Sequence, residues 1–149
     1  MMELLDRYAR DPLLDRFRLW DLLIFNYLIG NTDGHIKNVS LLYDPALKTV
    51  SLAPAYDLIS TAVYPESSRS MAVCIGGEQE LDRITREHFA IAANEIGIGR
   101  TAALNRFDEM AAAFPEALLA AAEEVSSAGF HSARDLSQRI LQQGGIARL

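Results

Sequence analysis

The chain has 149 residues, half of them hydrophobic and 23% charged, with a formal net charge of -6. That suffices for one domain with its own core, and it excludes both a disordered chain and a direct nucleic-acid binder driven by a global basic field. Cys74 is the only cysteine, which excludes an internal disulfide and argues against a thiolate zinc site, and no run reaches the ~18 apolar residues of a membrane span.

The N-terminal stretch "MMELLDRYARDPLLDR" carries charges throughout, where a signal peptide needs an unbroken apolar segment, so a reducing, cytoplasmic setting is expected. From Asp11 to Ile29 the residues Leu13, Leu14, Phe17, Trp20, Leu23, Ile24, Tyr27 and Leu28 recur at steps of three and four. That spacing predicts an amphipathic helix with a wide buried face, capped by Asp11, opened by Pro12 and ended by Gly30. The aromatic side chains within it are expected to pack rather than to stack on bases.

Next comes "IGNTDGHIKNVSLLYD", which crowds two carboxamides, an acid, an imidazole and a lysine between apolar runs. "VSLLYD" and "TVSLAP", joined by "PALK", predict a β-hairpin. "AYDLISTAVYPESSR" reads as a loop, in which Ser67, Ser68 and Ser70 beside Arg69 are a solvated turn. "MAVCI" is a third strand, closed by Gly76 and Gly77, whose apolar neighbours predict a buried structural thiol for Cys74. Beyond it the chain turns helical. One helix is predicted from Thr85 to about Glu95, a second over Arg100 to Ala113, a third from Pro115 to near Gly129, and a fourth capped by Ser132. His88 and His131, near helix starts, read as ordinary surface residues. The expectation is a single domain, 1–149, mostly α with a small β-hairpin where the polar residues gather.

Three of those polar residues fit one chemistry. Asp33 and Asn38 lie on the loop between the long helix and the hairpin, and Asp57 follows the hairpin's second strand. Antiparallel pairing brings the hairpin's outer ends together, so Asp57 can return beside Asn38. Oxygen ligands of this kind suit Mg²⁺, which leaves positions for phosphates and water. Phosphoryl transfer calls for two chelating side chains and one free carboxylate. On this reading Asp33 is the base, and Asn38 and Asp57 hold the metal. Lys37 can meet a transferring phosphate as a point charge, His35 pins the loop by hydrogen bonds, and Asn31 fixes the turn with its side chain.

"NTDGHIKN" followed by "LAPAYDL" resembles the catalytic core of the HipA-like serine/threonine kinases, toxins of bacterial toxin–antitoxin pairs. The resemblance implies the C-terminal helical lobe of a protein-kinase-like fold, with a catalytic loop at 29–40, a metal-binding segment at 53–59 and a helical tail at 82–145. By that likeness Asp33 is the catalytic residue, Asn38 a magnesium ligand, and Asp57 the counterpart of the metal-binding aspartate of kinases. Tyr56 would lie beside the nucleotide. The likeness further implies ATP as donor and a protein serine or threonine as acceptor, of the aminoacyl-tRNA synthetase class. A HipB-like helix-turn-helix antitoxin is the implied partner, through which DNA is met only indirectly.

Kinases of this type also need a nucleotide lobe with a phosphate-covering loop and a lysine for the α- and β-phosphates. The residues before Asp33 are expected to be spent on one helix, and no G-x-x-x-x-G-K-[ST] motif is present. The expectation is therefore a C-terminal lobe alone, whether excised from a longer chain, encoded by a split gene or left as a remnant, that binds ATP poorly and turns over little. The alternative is a non-catalytic interaction module that docks to an antitoxin or to a separate N-terminal lobe. A small-molecule kinase of the aminoglycoside type shares the acid-to-Asn spacing, but "AYDL" and the helical tail argue against it.

Overall fold

The computed structural model describes residues 2–149, and helix dominates it. A short helix α1 (Met2–Tyr8) precedes α2 (Pro12–Ile29), so two helices rather than one lie ahead of Asp33. Asp11 caps α2 by accepting from the Leu14 N–H at 3.0 Å, and Pro12 occupies the first turn, where a missing N–H costs nothing. Gly30 ends it in the left-handed conformation at φ 69°. A Cβ there would lie 2.6 Å from that of Ala62, so both the backbone and the space demand glycine.

The hairpin is β1 (Leu41–Tyr43) and β2 (Val50–Leu52), antiparallel, with Leu41 opposite Leu52 and Tyr43 opposite Val50. A second hairpin, which the sequence did not announce, pairs β3 (Ser70–Ile75) with β4 (Glu78–Glu80) through Gly76 and Gly77. The polar run "EQE" carries no apolar alternation, and β4 exists because β3 supplies its backbone partners. β3 buries Met71 and Ile75 but leaves Cys74 exposed, contrary to the expected buried thiol. Alternation explains it: Cys74 shares a strand face with exposed Ala72, not with Met71 and Ile75.

The remaining helices are α3 (Arg86–Ile96), α4 (Arg100–Ser127) and α5 (Ser132–Gln143), with a closing 3₁₀ turn at Gly145–Arg148. His88 is not a bystander. Its Nδ1 accepts from the Thr85 N–H at 3.0 Å, completing a reciprocal cap on α3. α4 is the main departure from expectation, because Pro115 lies inside one continuous helix and does not start a new one. Proline removes only the bond to the Ala111 carbonyl, while Leu104, Phe107, Phe114 and Ala122 stay buried along the helix. Tertiary packing outweighs the local break.

α2 is the central strut, packing against α1, α3, α4, β2 and the C-terminal turn. Trp20, Tyr27 and Phe89 are fully buried, and the Phe89 ring meets Trp20 and Tyr27 edge-on at 5.8 and 5.2 Å. Burying each such side chain is worth roughly 1.5–3 kcal/mol. The Trp20 Nε1–H donates to the Ala103 carbonyl at 3.0 Å, so the indole's one polar atom is satisfied. This rigid block fixes the end of α2, from which the polar loop departs. No helix among the described residues is long and apolar enough to cross a membrane.

Candidate active site

The loop leaving α2 is stitched to the segment after β2 by hydroxyls and carboxamides. The Thr32 N–H donates to Thr61 Oγ1 at 2.7 Å, Thr61 Oγ1 donates to the Gly30 carbonyl at 3.1 Å, and Ser60 Oγ donates to the Ile29 carbonyl. The Ala72 N–H adds a bond from β3 to the Thr32 carbonyl at 2.9 Å. Asn31 is buried, and its Nδ2 donates both to Asn26 Oδ1 at 2.9 Å and to the Asp57 carbonyl at 3.1 Å. Sequence reasoning placed Asn31 in the turn but missed Asn26, Thr32, Ser60 and Thr61. Only Asn26, a polar residue near the end of an apolar helix, left a trace.

The hairpin does what antiparallel pairing allows, returning the chain so that Asn38 Nδ2 donates to Asp57 Oδ2. Asp57 takes a left-handed backbone at φ 58°, uncommon outside glycine and tolerated by aspartate. Tyr56 turns its ring to the surface, but its hydroxyl is engaged, donating to the Lys37 carbonyl at 3.0 Å and lying 2.8 Å from Ser40 Oγ. It braces the loop whatever else it touches. Asn38 ends a 3₁₀ turn (Ile36–Asn38) whose cap is His35. The loop contacts of His35 are made by its backbone, with its N–H on the Asp33 carbonyl at 2.8 Å, while the ring Nδ1 is buried without a partner. Asp33 and Lys37 are exposed on the loop.

Whether this arrangement fits a hard cation can be judged from Asn38. Its Oδ1 is buried and unpartnered, and it belongs to the same carboxamide that reaches the Asp57 carboxylate. One amide oxygen and one carboxylate, with outer positions left to phosphates and water, is a donor set that suits Mg²⁺. Among the described residues no three His, Cys, Asp or Glu side chains gather at one point. Beneath the loop lies an open cavity of about 280 Å³, walled by α2, α3 and β3. Asn31, His35, Asn38 and Asp57 line it, as do Cys74 and Glu95.

Residues 1–118 match the HipA-like C-terminal domain. The chain belongs to that family. A Sinorhizobium fredii protein named as a kinase, Y4mE, is 36% identical over 132 residues, which cover 89% of this chain and 31% of that protein. The serine/threonine-protein kinase toxin HipA of Shewanella oneidensis is 27% identical over 110 residues, 74% of this chain and 25% of the toxin. The HipA-like chain therefore spans about a third or less of the length of these relatives. Among solved structures, a Shewanella oneidensis complex of HipA, HipB and operator DNA matches with a TM-score of 0.75 at 23% identity, over 95% of this chain and 34% of its counterpart. At that identity the likeness speaks for the fold, the helical C-terminal region with its small hairpins.

Proposed function

We infer that this HipA-like domain carries the base and the metal-holding residues of a serine/threonine kinase, the toxin of a toxin–antitoxin pair. The observation that carries the reading is the contact between Asn38 and Asp57, with Asn38 Oδ1 buried and unpartnered beside it. Asp33 is exposed on the same loop, where its carboxylate can orient a hydroxyl and accept its proton. Lys37, equally exposed, offers a point charge to a phosphate. Tyr56 holds the Lys37 carbonyl and so keeps the loop in register with the metal pair. A Mg²⁺ held by Asn38 and Asp57 would offset charge on the phosphates of ATP.

Finer assignments follow the family. The acceptor is a protein serine or threonine of the aminoacyl-tRNA synthetase class, the partner is a HipB-like antitoxin that brings DNA indirectly, and the setting is cytoplasmic. The relatives are three to four times as long as the segment they share with this chain. Efficient transfer accordingly requires a nucleotide lobe beyond these residues.

Titration of Mn²⁺ in place of Mg²⁺ tests the metal pair, with Asn38→Ala and Asp57→Ala expected to abolish tight binding. Phosphotransfer from radiolabelled ATP, by these residues alone and together with the upstream coding sequence, tests the rest. Activity that appears only with the upstream lobe and vanishes in Asp33→Ala is the expected result. Transfer that survives Asp33→Ala would overturn the assignment of the base. A second reading, an interaction module without catalysis, draws on the exposed apolar side chains of the first hairpin, Leu42, Tyr43 and Leu47. It gains if the upstream lobe restores binding but no transfer.

A further inference from the structure

The residues after α5 reach back to the root of the loop that carries Asp33 and Asn38. Gly144 and Gly145 are buried, and the 3₁₀ turn Gly145–Arg148 follows them. A Cβ on Gly144 would lie 2.4 Å from the Leu28 carbonyl oxygen, and one on Gly145 would lie 2.5 Å from that of Tyr27. Neither glycine has a positive φ, so close approach alone demands them. Both carbonyls belong to the last turn of α2, and that of Tyr27 accepts the Gly30 N–H at 3.0 Å. Gly30 meets the same turn directly, since a Cβ there would lie 3.0 Å from the Gly144 Cα. The hinge of the loop is thus pressed between Ala62 on one side and Gly144 on the other.

Side chains hold the turn down. Arg148 Nε donates to Asp82 Oδ1 at 2.7 Å, and Arg69 Nε donates to Asp82 Oδ2 at 2.8 Å. Arg69 Nη1 also donates to the Gln143 carbonyl at 3.0 Å, just ahead of the two glycines. Asp82 follows Leu81, a fully buried residue that packs beside Gly30. The ion pairs are partly exposed, and pairs of that kind hold weakly and yield to salt. Gly144, Gly145 and Arg148 lie outside residues 1–118, which match the family domain.

We propose that the turn after α5 is a strap on the root of the catalytic loop, whose seating governs how firmly that loop holds Asp33 and the Asn38–Asp57 pair. Gly144, Gly145 and Arg148 are then positioning residues that act through Tyr27, Leu28 and Gly30. The strap rests on the kinase reading for what the loop does, but its hold on the loop is measurable without catalysis. A tight fit with a weak clasp makes a device that can be released, and release would loosen the loop while the helical core stays folded.

Amide hydrogen exchange, well below the thermal transition, tests the hold. The reporters are the N–H groups of Gly30, Asn31, Thr32 and Ala62, which tie the loop root to α2 and to the segment after β2. Truncation after Gln143 should speed their exchange by about tenfold and leave the amides of α3 unchanged. Gly144→Ala should act in the same direction, and it reads the strap should the truncated chain fail to fold. Arg148→Ala, or added salt, should give about threefold to fivefold. Leu104→Ala is the control, a core deletion beside Ala103, which meets α2 at Trp20 rather than at its end. It should lower the melting temperature without speeding the four reporters. Mn²⁺ titration then reads the site, where Gly144→Ala should weaken binding by about threefold to tenfold. Reporters unmoved by Gly144→Ala, or moved equally by Leu104→Ala, overturn the strap. Faster reporters with unchanged Mn²⁺ affinity overturn it too, because the turn would then hold backbone without serving the site. A wild-type protein that binds no Mn²⁺ while Gly144→Ala selectively speeds the reporters sinks the metal reading and upholds the strap's hold on the loop.

Discussion

The carboxamide of Asn31 donates to the backbone carbonyl of Asp57 at 3.1 Å, across a separation of 26 positions. Its other bond runs back to Asn26 on the last turn of α2 at 2.9 Å. One buried side chain therefore spans helix, loop and the segment after the hairpin. Asn38 grips the Asp57 carboxylate from the loop, so Asp57 is held at both its main chain and its side chain. Pre-organisation of this kind would let two side chains on different segments act as one donor set.

Asn31→Ala should lower stability by about 1–3 kcal/mol, because it strands Asn26 Oδ1 and the Asp57 carbonyl without a donor. Asn31→Asp should cost at least as much at neutral pH, since it turns a donor into an acceptor facing two oxygens. Urea denaturation of the three proteins decides it. Superimposed curves for wild type and Asn31→Ala would mean that the tether carries no free energy.

Backbone and side chain at Asp57 can be separated. At φ 58° glycine is at ease and alanine is strained, so Asp57→Gly should be more stable than Asp57→Ala by about 1–2 kcal/mol. Both variants lose the carboxylate, and both should lose Mn²⁺ binding equally. A thermal melt beside a metal titration reads the two effects independently. Equal stability of the pair would show that the left-handed backbone stores no strain.

Those two residues also mark how far the sequence can be read. Asn38 and Asp57 could be paired in advance because a hairpin has one topological consequence, the return of its outer ends, and alternation with turn residues announces a hairpin. Helix α2 was legible for the same reason, since its stop and start signals agree with its periodicity. Thr32 and Thr61 were not legible, because two threonines joined by a hydroxyl contact leave no local pattern. Strand β4 is polar and exists by pairing, and His88 resembles any surface histidine until its Nδ1 meets the Thr85 N–H. Cys74 was misread because apolar neighbours in sequence alternate across a strand, so they are not neighbours in space.

Pro115 misled for the opposite reason, a strong local signal overruled by packing. Replacing it with alanine restores the donor to the Ala111 carbonyl and removes a poor helix former. The gain of about 3 kcal/mol in an ideal helix is partly offset by the freer unfolded chain, which leaves about 2 kcal/mol. Pro115→Ala should therefore melt at a higher temperature with an unchanged far-UV dichroism spectrum, because α4 is already continuous. A lower melting temperature would mean that the half-buried proline ring contributes more by packing than it costs the backbone.

The last prediction concerns Tyr27, whose phenol is fully buried beneath the α2 core and donates to the Ile84 carbonyl at 3.3 Å. Burial disfavours the phenolate and raises its pKa from 10.0 to about 12. A pKa raised on folding contributes stability that is whole below pH 10 and is lost as pH rises toward 12, because the unfolded chain then releases the proton more readily. At pH 12 the loss amounts to about 2 kcal/mol. Tyr27→Phe gives up one long hydrogen bond, about 1 kcal/mol at neutral pH, but has no proton to lose. The two proteins share every other tyrosine, so the difference between their pH profiles isolates this one. Their stabilities should cross at about pH 11, above which the variant is the more stable. Parallel profiles would mean that Tyr27 ionises as easily in the folded protein as in the unfolded chain.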